Sequence, residues 1–501
     1  MVRYWPVIEL LTFLNFFGTT LLEIIAQKHI YNSTVKDHAD FEQLNCCETS
    51  DDASYGSVKD PGLISAATEH WLLYKNLASL LVAIPSTILL GIWSEAEGRK
   101  NVLVATLIGI ALRAALFTII IKFKAPLYFF AIASLITSAV GYNTSFMASC
   151  MAYMADITSS GQRTLKIVFI DCVAGIGIGL ASFISGFYLE SEFFNNFLWL
   201  IMAIMIFNIF CVVFSLETNV FIHELIPICK CSYFVGMWKI FSHDPGNGRR
   251  WRLVTYSTAL FIGGMVFYGT NYLILFHAQT SLCFSLILMA FLSASLALRY
   301  IVSLAFVKLF QTILKMANSL IIESGLLSIF AGLIVAAFSK TMRVLFIVPA
   351  FQFLGGMPLS VMKASLSRLV EPQEQGTLFA VVSCLEASAA FLGVNLFNQV
   401  YDGTHDIFGG LPFLIGAMLL IVPGCLVGFL HKNEDATSRY LFFPEESECD
   451  FGQQCTISVR SKSAPKIVSV PVVPHEDFIV VHHQNECETS NQATNGCLMP
   501  V

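Results

Sequence analysis

The chain is predicted to be an all-α membrane protein with twelve transmembrane helices in two six-helix bundles, and three observations carry that prediction. Of its 501 residues, 55% are hydrophobic and only 13% are charged, where soluble domains carry roughly 25% charged residues. The mean hydropathy is +0.69. About twelve apolar stretches reach the length needed to cross a bilayer as a helix, roughly 20 residues, and a polar segment at 217–251 divides them six and six.

The first six spans are expected at 7–28, 70–93, 102–122, 126–155, 165–189 and 196–216, within an N-terminal bundle at 1–216. The run from Val7 to Ile25 is too long and too often interrupted by polar groups for the apolar region of a signal peptide, and no small-residue cleavage site follows it. The segment 217–251 is read as a cytoplasmic linker, because it contains Pro227, Asp244-Pro-Gly246 and Gly248-Arg-Arg250. The C-terminal bundle at 252–432 is expected to hold spans at 252–276, 286–311, 316–339, 343–366, 377–401 and 411–431. A re-entrant or interfacial piece is an alternative for the start of 281–311. Two bundles of equal size around a central cavity are the layout of transporters built from structural repeats.

Cations set the expected orientation. With the N-terminus inside, the cytoplasmic loops carry Arg99 and Lys100, Arg163, Lys230, Lys239, Arg249 and Arg250, Lys315, and Arg368. The opposite loops hold fewer, with Lys36, Lys59, Lys122, Lys124, Lys340 and Arg343 as exceptions. Both termini are therefore placed in the cytoplasm. The first outer loop, 30–69, is acidic and contains the sequon Asn32-Ser-Thr34, which makes Asn32 a glycosylation candidate. The second match, Asn143-Thr-Ser145, falls inside the fourth span and is set aside. Cys46 and Cys47 lie in the same loop and can bridge to a distant loop, with Cys283 as a partner by location, whereas Cys229 and Cys231 are palmitoylation candidates or plain thiols. Residues 433–501 are rich in Glu, Ser, Pro, His and Gln and read as a disordered cytoplasmic tail. Tyr440-Leu-Phe-Phe443 fits the loose tyrosine-x-x-bulky address read by trafficking adaptors.

Ionisable side chains inside a membrane cost a few kcal/mol each and tend to face a cavity or one another. Those expected within spans are Glu9, Glu23, Arg113, Asp156, Asp171, Arg299, Glu323, Lys363 and Glu386. Asp171 stands out, two turns into a helix that continues Cys-Val-Ala-Gly-Ile-Gly-Ile-Gly179. Desolvation disfavours a bare carboxylate there, so the group is suited to carry a proton, and the alternative is a structural hydrogen bond to a neighbouring helix. Gly175, Gly179 and Gly186 make a small-residue face for close helix packing. Lys363 follows Gly355-Gly-Met-Pro358, a sequence that kinks or breaks a helix, and is a candidate for attracting an anionic substrate, with Arg113 and Arg299 as alternatives. Snorkelling or helix pairing explains those two arginines equally well. Tyr142 and Phe146, with Phe16, Phe267 and Tyr268, are candidates for lining a cavity that receives a ring system, although packing accounts for such residues too.

Between the second and third spans, Gly91-Ile-Trp-Ser-Glu95-Ala-Glu97-Gly98-Arg99-Lys100 combines glycines, an acid and a cationic turn. Glycines let two helix ends approach closely, and an acid can hydrogen-bond a neighbouring helix terminus. Gly91, Glu95, Gly98, Arg99 and Lys100, with Asp156 and Arg163, are therefore read as an inner gate. Enzyme signals are missing where they would be expected: no phosphate-binding Gly-rich loop with Lys-Ser/Thr occurs, and His223-Glu224 lacks the second histidine of a metal-hydrolase helix. Nothing calls for a cofactor, a metal or a nucleic-acid partner.

The Gly91–Lys100 loop resembles the helix 2 to helix 3 signature of the major facilitator superfamily, with Glu95 in place of the usual Asp and Ala96 in place of the following cation. More specifically, the chain resembles solute carrier family 46, the proton-coupled folate transporter and thymic stromal cotransporter group. The stretches that carry this are His70-Trp-Leu-Leu-Tyr-Lys-Asn76, Pro85-Ser-Thr-Ile-Leu-Leu-Gly-Ile-Trp-Ser94, Ala155-Asp-Ile-Thr-Ser-Ser160 with Arg163-Thr164, Phe197-Leu-Trp199, Glu374-Gln-Gly-Thr-Leu-Phe379 and Pro412-Phe-Leu-Ile-Gly416. The resemblance implies the major facilitator fold and a secondary transporter moving an organic solute by alternating access, with protons. It also implies that Asp171 stands where the folate transporter couples protons, that Asp156 stands near its inner gate, and that Lys363 replaces a functional arginine. The histidine of that group near the start of helix 8 is not found, and Ala297 to Arg299 occupies its neighbourhood. The expected function is a proton-coupled symporter of an amphipathic organic anion, folate-like, conjugate or muropeptide-like, in the plasma membrane or an endolysosomal membrane. A non-transporting membrane receptor or scaffold is the alternative.

Overall fold

The computed structural model describes residues 7–37, 61–159, 161–188, 194–215, 241, 248–282, 284–438, 457–459 and 466–468. Cys46, Cys47, Cys229, Cys231, Cys283 and Tyr440–Phe443 lie outside the described residues, as does most of the 217–251 linker.

The N-terminal half comprises α1 (Val7–Asp37), α2 (Pro61–Glu97), α3 (Arg99–Lys122), α4 (Tyr128–Ser138), α5 (Tyr142–Ile157), α6 (Arg163–Tyr188) and α7 (Phe194–Ser215). The C-terminal half comprises α8 (Arg249–Thr280), α9 (Leu286–Thr312), α10 (Asn318–Ala337), α11 (Met342–Leu345), α12 (Val348–Phe351), α13 (Met357–Leu369), α14 (Gln375–Phe408), α15 (Leu411–Leu419) and α16 (Ile421–Ser438). Eleven stretches among the described residues are helical, long and apolar enough to cross a membrane. The twelfth crossing, tenth in order, is assembled from α11, α12 and α13. Two corrections of extent follow: α1 runs to Asp37, so Asn32 sits exposed on a helix rather than in a loop, and α8 begins at Arg249. Residues Thr437–Val501 are a separate unit, in which Ile457–Val459 (β1) pairs antiparallel with Lys466–Val468 (β2), a short ladder in a segment expected to lack structure.

Each half has its own apolar core. One cluster is built from α1, α3, α5, α6 and α7 around residues such as Leu11, Leu107, Phe117 and Met205, and the other from α8, α10, α13 and α14 around Leu260, Ile322, Val361 and Phe397. Val168 reaches into the second cluster, and Ala364, Phe379 and Ala380 reach into the first, so the two cores interlock across the seam. With no water in the bilayer core, hydroxyls must find partners within the protein. Thr12, Thr19, Thr118, Thr137 and Thr270 each donate to the carbonyl four residues back, at 2.7–2.8 Å.

The fourth span of each half is broken, and both breaks are chemically satisfied. Between α4 and α5 the chain turns through Gly141 at φ 85 and Tyr142 at φ 47, and Ser86 on α2 donates to the Ser138 carbonyl at 2.8 Å. A non-glycine residue at positive φ is costly and persists where its surroundings fix it. The break between α12 and α13 follows from Gly355 and Gly356, with Pro358 at the start of the next helix. Ser328 donates to the Phe351 carbonyl at 2.6 Å and accepts from the Leu354 amide at 3.2 Å, while Ser303 accepts from the Gly356 amide at 3.1 Å.

Glycines permit the closest helix contacts. The predicted small-residue face of α6 packs on α9, where Gly175 lies against the Tyr300 ring, Gly179 against Ala297 and Gly186 against Ala290. On the other side of the C-terminal half, a Cβ on Gly393 of α14 would fall on the Met265 carbonyl of α8. Gly393→Ala is therefore expected to cost about 1–3 kcal/mol through overpacking, read as a lowered melting temperature of the purified protein, and an unchanged melting temperature would contradict this packing.

Candidate functional site

At the seam between the halves, four helices bring titratable groups to one point. Lys363 on α13 lies 2.9 Å from Asp171 on α6 and 3.1 Å from Glu386 on α14, with side-chain exposures of 4%, 12% and 11% respectively. Ser360, one turn before Lys363 on the same face of α13, donates to Asp171 Oδ2, and the Lys363 ammonium lies 2.9 Å from both oxygens of that carboxylate. Tyr268 on α8 donates to Glu386 at 3.4 Å. The break at Gly355-Gly356 starts α13 inside the molecule, which carries Ser360 and Lys363 to the depth of Asp171. These residues line a cavity of about 330 Å³.

A second, larger cavity of about 830 Å³ shares Asn143, Thr144, Ala387 and Ala390 with the first, so the two are compartments of one cleft. All of its charged lining residues but Asp402 belong to the N-terminal half. Lys75 on α2 donates to Glu23 on α1, Tyr142 donates to Glu23 at 3.3 Å, and the Arg113 guanidinium on α3 lies 3.8 Å from the centre of the Tyr142 ring. The break before α5 is what presents Tyr142 and Asn143 to the cavity. Its walls extend to Glu69 and His70 on α2 and to Asp402 on α14.

The opposite ends of α2, α5, α6, α13 and α14 are locked together. Glu95 accepts the Thr377 amide at 2.7 Å, so a carboxyl from the N-terminal half caps the start of α14. Gly91 lies against Ala380 and the Gly376 carbonyl. Arg99 donates from Nε to Asp156 at 2.9 Å and also donates to Ser94. Arg163 donates to the Ser367 carbonyl at 3.1 Å and the Ala155 carbonyl at 3.3 Å, Arg368 donates to Thr164 at 2.6 Å, and Arg249 pairs with Glu374. Gly98, at φ 91, is the turn that separates α2 from α3. Lys100 follows on the first turn of α3, and among the described residues no ion pair uses it.

Sequence-chosen residues thus divide by location. Asp171 and Lys363, picked separately, form one pair, while Arg113 and Tyr142 form another in the larger compartment. Arg299 and Phe146 stand off both cavities. The Arg299 guanidinium donates to Asn271 at 2.8 Å and Gln352 at 3.3 Å and lies 4.4 Å from the Phe267 ring, inside the C-terminal half. Phe146 is fully buried in the N-terminal core, edge-on to Phe16. Glu386, named in the sequence only as a charge within a span, is the group whose role went unread, and Lys75 went unread with it.

Comparison with known proteins agrees with this architecture. The profile of the Major Facilitator Superfamily matches residues 9–394. The proton-coupled folate transporter of Rattus norvegicus is 29% identical over 391 residues, covering 77% of this chain and 84% of the relative. The lysosomal proton-coupled steroid conjugate and bile acid symporter SLC46A3 of Gallus gallus is 27% identical over 454 residues, covering 88% and 97%. Among solved structures, the human organic anion transporter MFSD10 superposes with a TM-score of 0.64 at 16% identity, covering 84% of this chain and 98% of that one. The fucose:proton symporter FucP of E. coli does so with a TM-score of 0.56 at 12% identity, covering 84% and 98%. Both share the fold. The resemblance to solute carrier family 46 is borne out by these relatives, and with its profile match over most of its length the chain belongs to the Major Facilitator Superfamily.

Proposed function

We propose that this protein is a proton-coupled symporter of an organic anion that works by alternating access, with Asp171 as the proton carrier. The observation that carries the reading is the buried Asp171–Lys363–Glu386 cluster bridging the two halves. Two carboxylates and one ammonium sum to a net charge of −1, and one bound proton brings the cluster to neutrality. A neutral cluster is the cheaper one to enclose, because an uncompensated charge in a dry site carries a desolvation penalty of several kcal/mol.

Geometry favours Asp171 over Glu386 for the coupling role. Lys363 and Glu386 both belong to the C-terminal half, so their pairing is untouched when the halves rock. Both links of Asp171, to Lys363 and Ser360, cross the seam. Protonation of Asp171 weakens the charge-assisted link while leaving Lys363 its second carboxylate. The closed gate at Gly91, Glu95, Arg99, Asp156 and Arg163, together with a cleft reaching Glu69 and Asp402 at the other end, corresponds to one of the two access states. Under the positive-inside orientation it is the outward-facing state, with both termini in the cytoplasm. An endolysosomal membrane supplies the required acidic lumenal face, as does a plasma membrane that borders an acidic extracellular space, and the similar SLC46A3 of Gallus gallus is a lysosomal symporter.

Reconstituted vesicles test the proposal. An inward proton gradient is expected to drive accumulation of radiolabelled folate or taurocholate above equilibrium, and a protonophore is expected to abolish it. Accumulation indifferent to the gradient would overturn proton coupling.

A further inference from the structure

Lys363 is saturated, with two carboxylates held within hydrogen-bond distance, so it has little capacity left for a substrate anion in this state. Arg113 is the opposite case. Its side chain is 2% exposed, yet among the described residues neither Nε nor Nη1 has a hydrogen-bond partner. Nη2 donates to Ser79 at 3.3 Å. Glu23 Oε1 stands 4.0 Å from Nε, an electrostatic neighbour beyond hydrogen-bond range. An unpaired donor on a buried cation is costly and calls for an explanation, of which a ligand is one; Arg163, Arg249 and Arg299 also have an unpaired Nε, but Arg113 is the one of the four that lines the larger cavity.

The surroundings of Arg113 make a built site. The guanidinium lies 3.8 Å from the Tyr142 ring centre and 5.4 Å from that of Phe117, which fixes its plane. Lys75, at 5% side-chain exposure, approaches the same carboxylate, Glu23, from α2. Two cations against one carboxylate leave a local charge of +1. Glu69 and Asp402 also line this compartment, so its charged lining as a whole sums to −1. The seam cluster likewise has a net charge of −1. The positive charge is thus local to Arg113 and Lys75 around Glu23, and the negative charge of the seam cluster lies beyond Asn143 and Thr144.

We infer that the oxyanion of the transported solute, a carboxylate or sulfonate, is received in the larger compartment by Arg113 and Lys75, in competition with Glu23, and that Lys363 serves coupling. Arginine's planar fork suits a two-oxygen contact that lysine does not reproduce. Glu23 acts as an internal stand-in: it neutralises the cations while the cleft is empty and is displaced in part when the solute's own oxyanion arrives. The inference rests on the organic-anion reading above and adds which residues meet the anion.

Equilibrium binding of tritiated folate and tritiated taurocholate to the purified full-length protein tests it, because binding is read without a proton gradient. Arg113→Gln is expected to weaken binding of the bound probe at least tenfold, with Arg113→Lys between it and the wild type. Glu23→Gln removes the competitor and is expected to tighten binding three- to tenfold, a gain that misfolding does not produce. If Arg113→Gln binds as the wild type does, or Glu23→Gln fails to tighten binding, the site is misassigned. If the wild type binds neither anion, the organic-anion reading falls with it; loss of gradient-driven uptake with binding intact would fault the coupling assignment alone.

Discussion

Lys363→Gln is expected to abolish concentrative uptake and to lower the stability of the folded protein. The substitution leaves Asp171 and Glu386, which share one ammonium at 2.9 and 3.1 Å, as two buried carboxylates without a cation. Breaking a buried pair by removing one partner costs about 3–5 kcal/mol, and here one cation serves two acids. The protein can relieve the penalty only by keeping protons bound, which removes the release step from the cycle. Two readouts separate these effects. Thermal stability should fall and recover in part in the double variant Lys363→Gln with Asp171→Asn, which removes one of the two carboxylates left without a cation, whereas gradient-driven uptake should stay lost in both. Wild-type uptake in Lys363→Gln would contradict the cluster's role.

Gly91→Val is expected to trap the transporter away from the state seen here. A Cβ at position 91 would collide with the Ala380 Cβ and lie 3.0 Å from the Gly376 carbonyl, so α2 and α14 must separate at the gate. That separation would also pull Glu95 from the Thr377 amide. Overpacking of about 1–3 kcal/mol applied to one of two access states shifts their ratio by roughly 5- to 150-fold. Backbone amides at 375–380 should then exchange hydrogen at least about fivefold faster, with uptake reduced to a similar degree. Unchanged exchange would mean that the Gly91–Gly376 contact does not hold the gate closed.

Much of the architecture was legible because the bilayer imposes it. Length and hydropathy located the spans, and Gly355-Gly-Met-Pro358 announced the break that seats Lys363. Asp171 and Lys363 were legible as charges with apolar company, the costliest residues to place in a membrane. Helix rotation was not legible. In a membrane protein both the lipid-facing and the core-facing sides of a helix are apolar, so periodicity does not say which way a side chain turns. Phe146 and Arg299 were consequently grouped with cavity residues although their helices turn them into the bundle cores. For the same reason Glu386 and Lys75 gave no sign of their partners, which depend on how α14 packs on α13 and α2 on α1. The break before Tyr142 also escaped notice, since Gly141 alone gives a weak signal, and with it the arrangement that sets Tyr142 beneath Arg113.

The central claim is that Asp171 carries the coupled proton across the seam. It is tested most directly by comparing wild type and Asp171→Asn in the same reconstituted vesicles, measuring gradient-driven accumulation and equal-pH exchange of one radiolabelled anion. Asparagine preserves the size and much of the hydrogen bonding to Ser360 but cannot exchange a proton. Asp171→Asn is expected to retain exchange while its gradient-driven accumulation falls at least tenfold, to the level of a protonophore-treated control. Accumulation by Asp171→Asn at the wild-type level would contradict it.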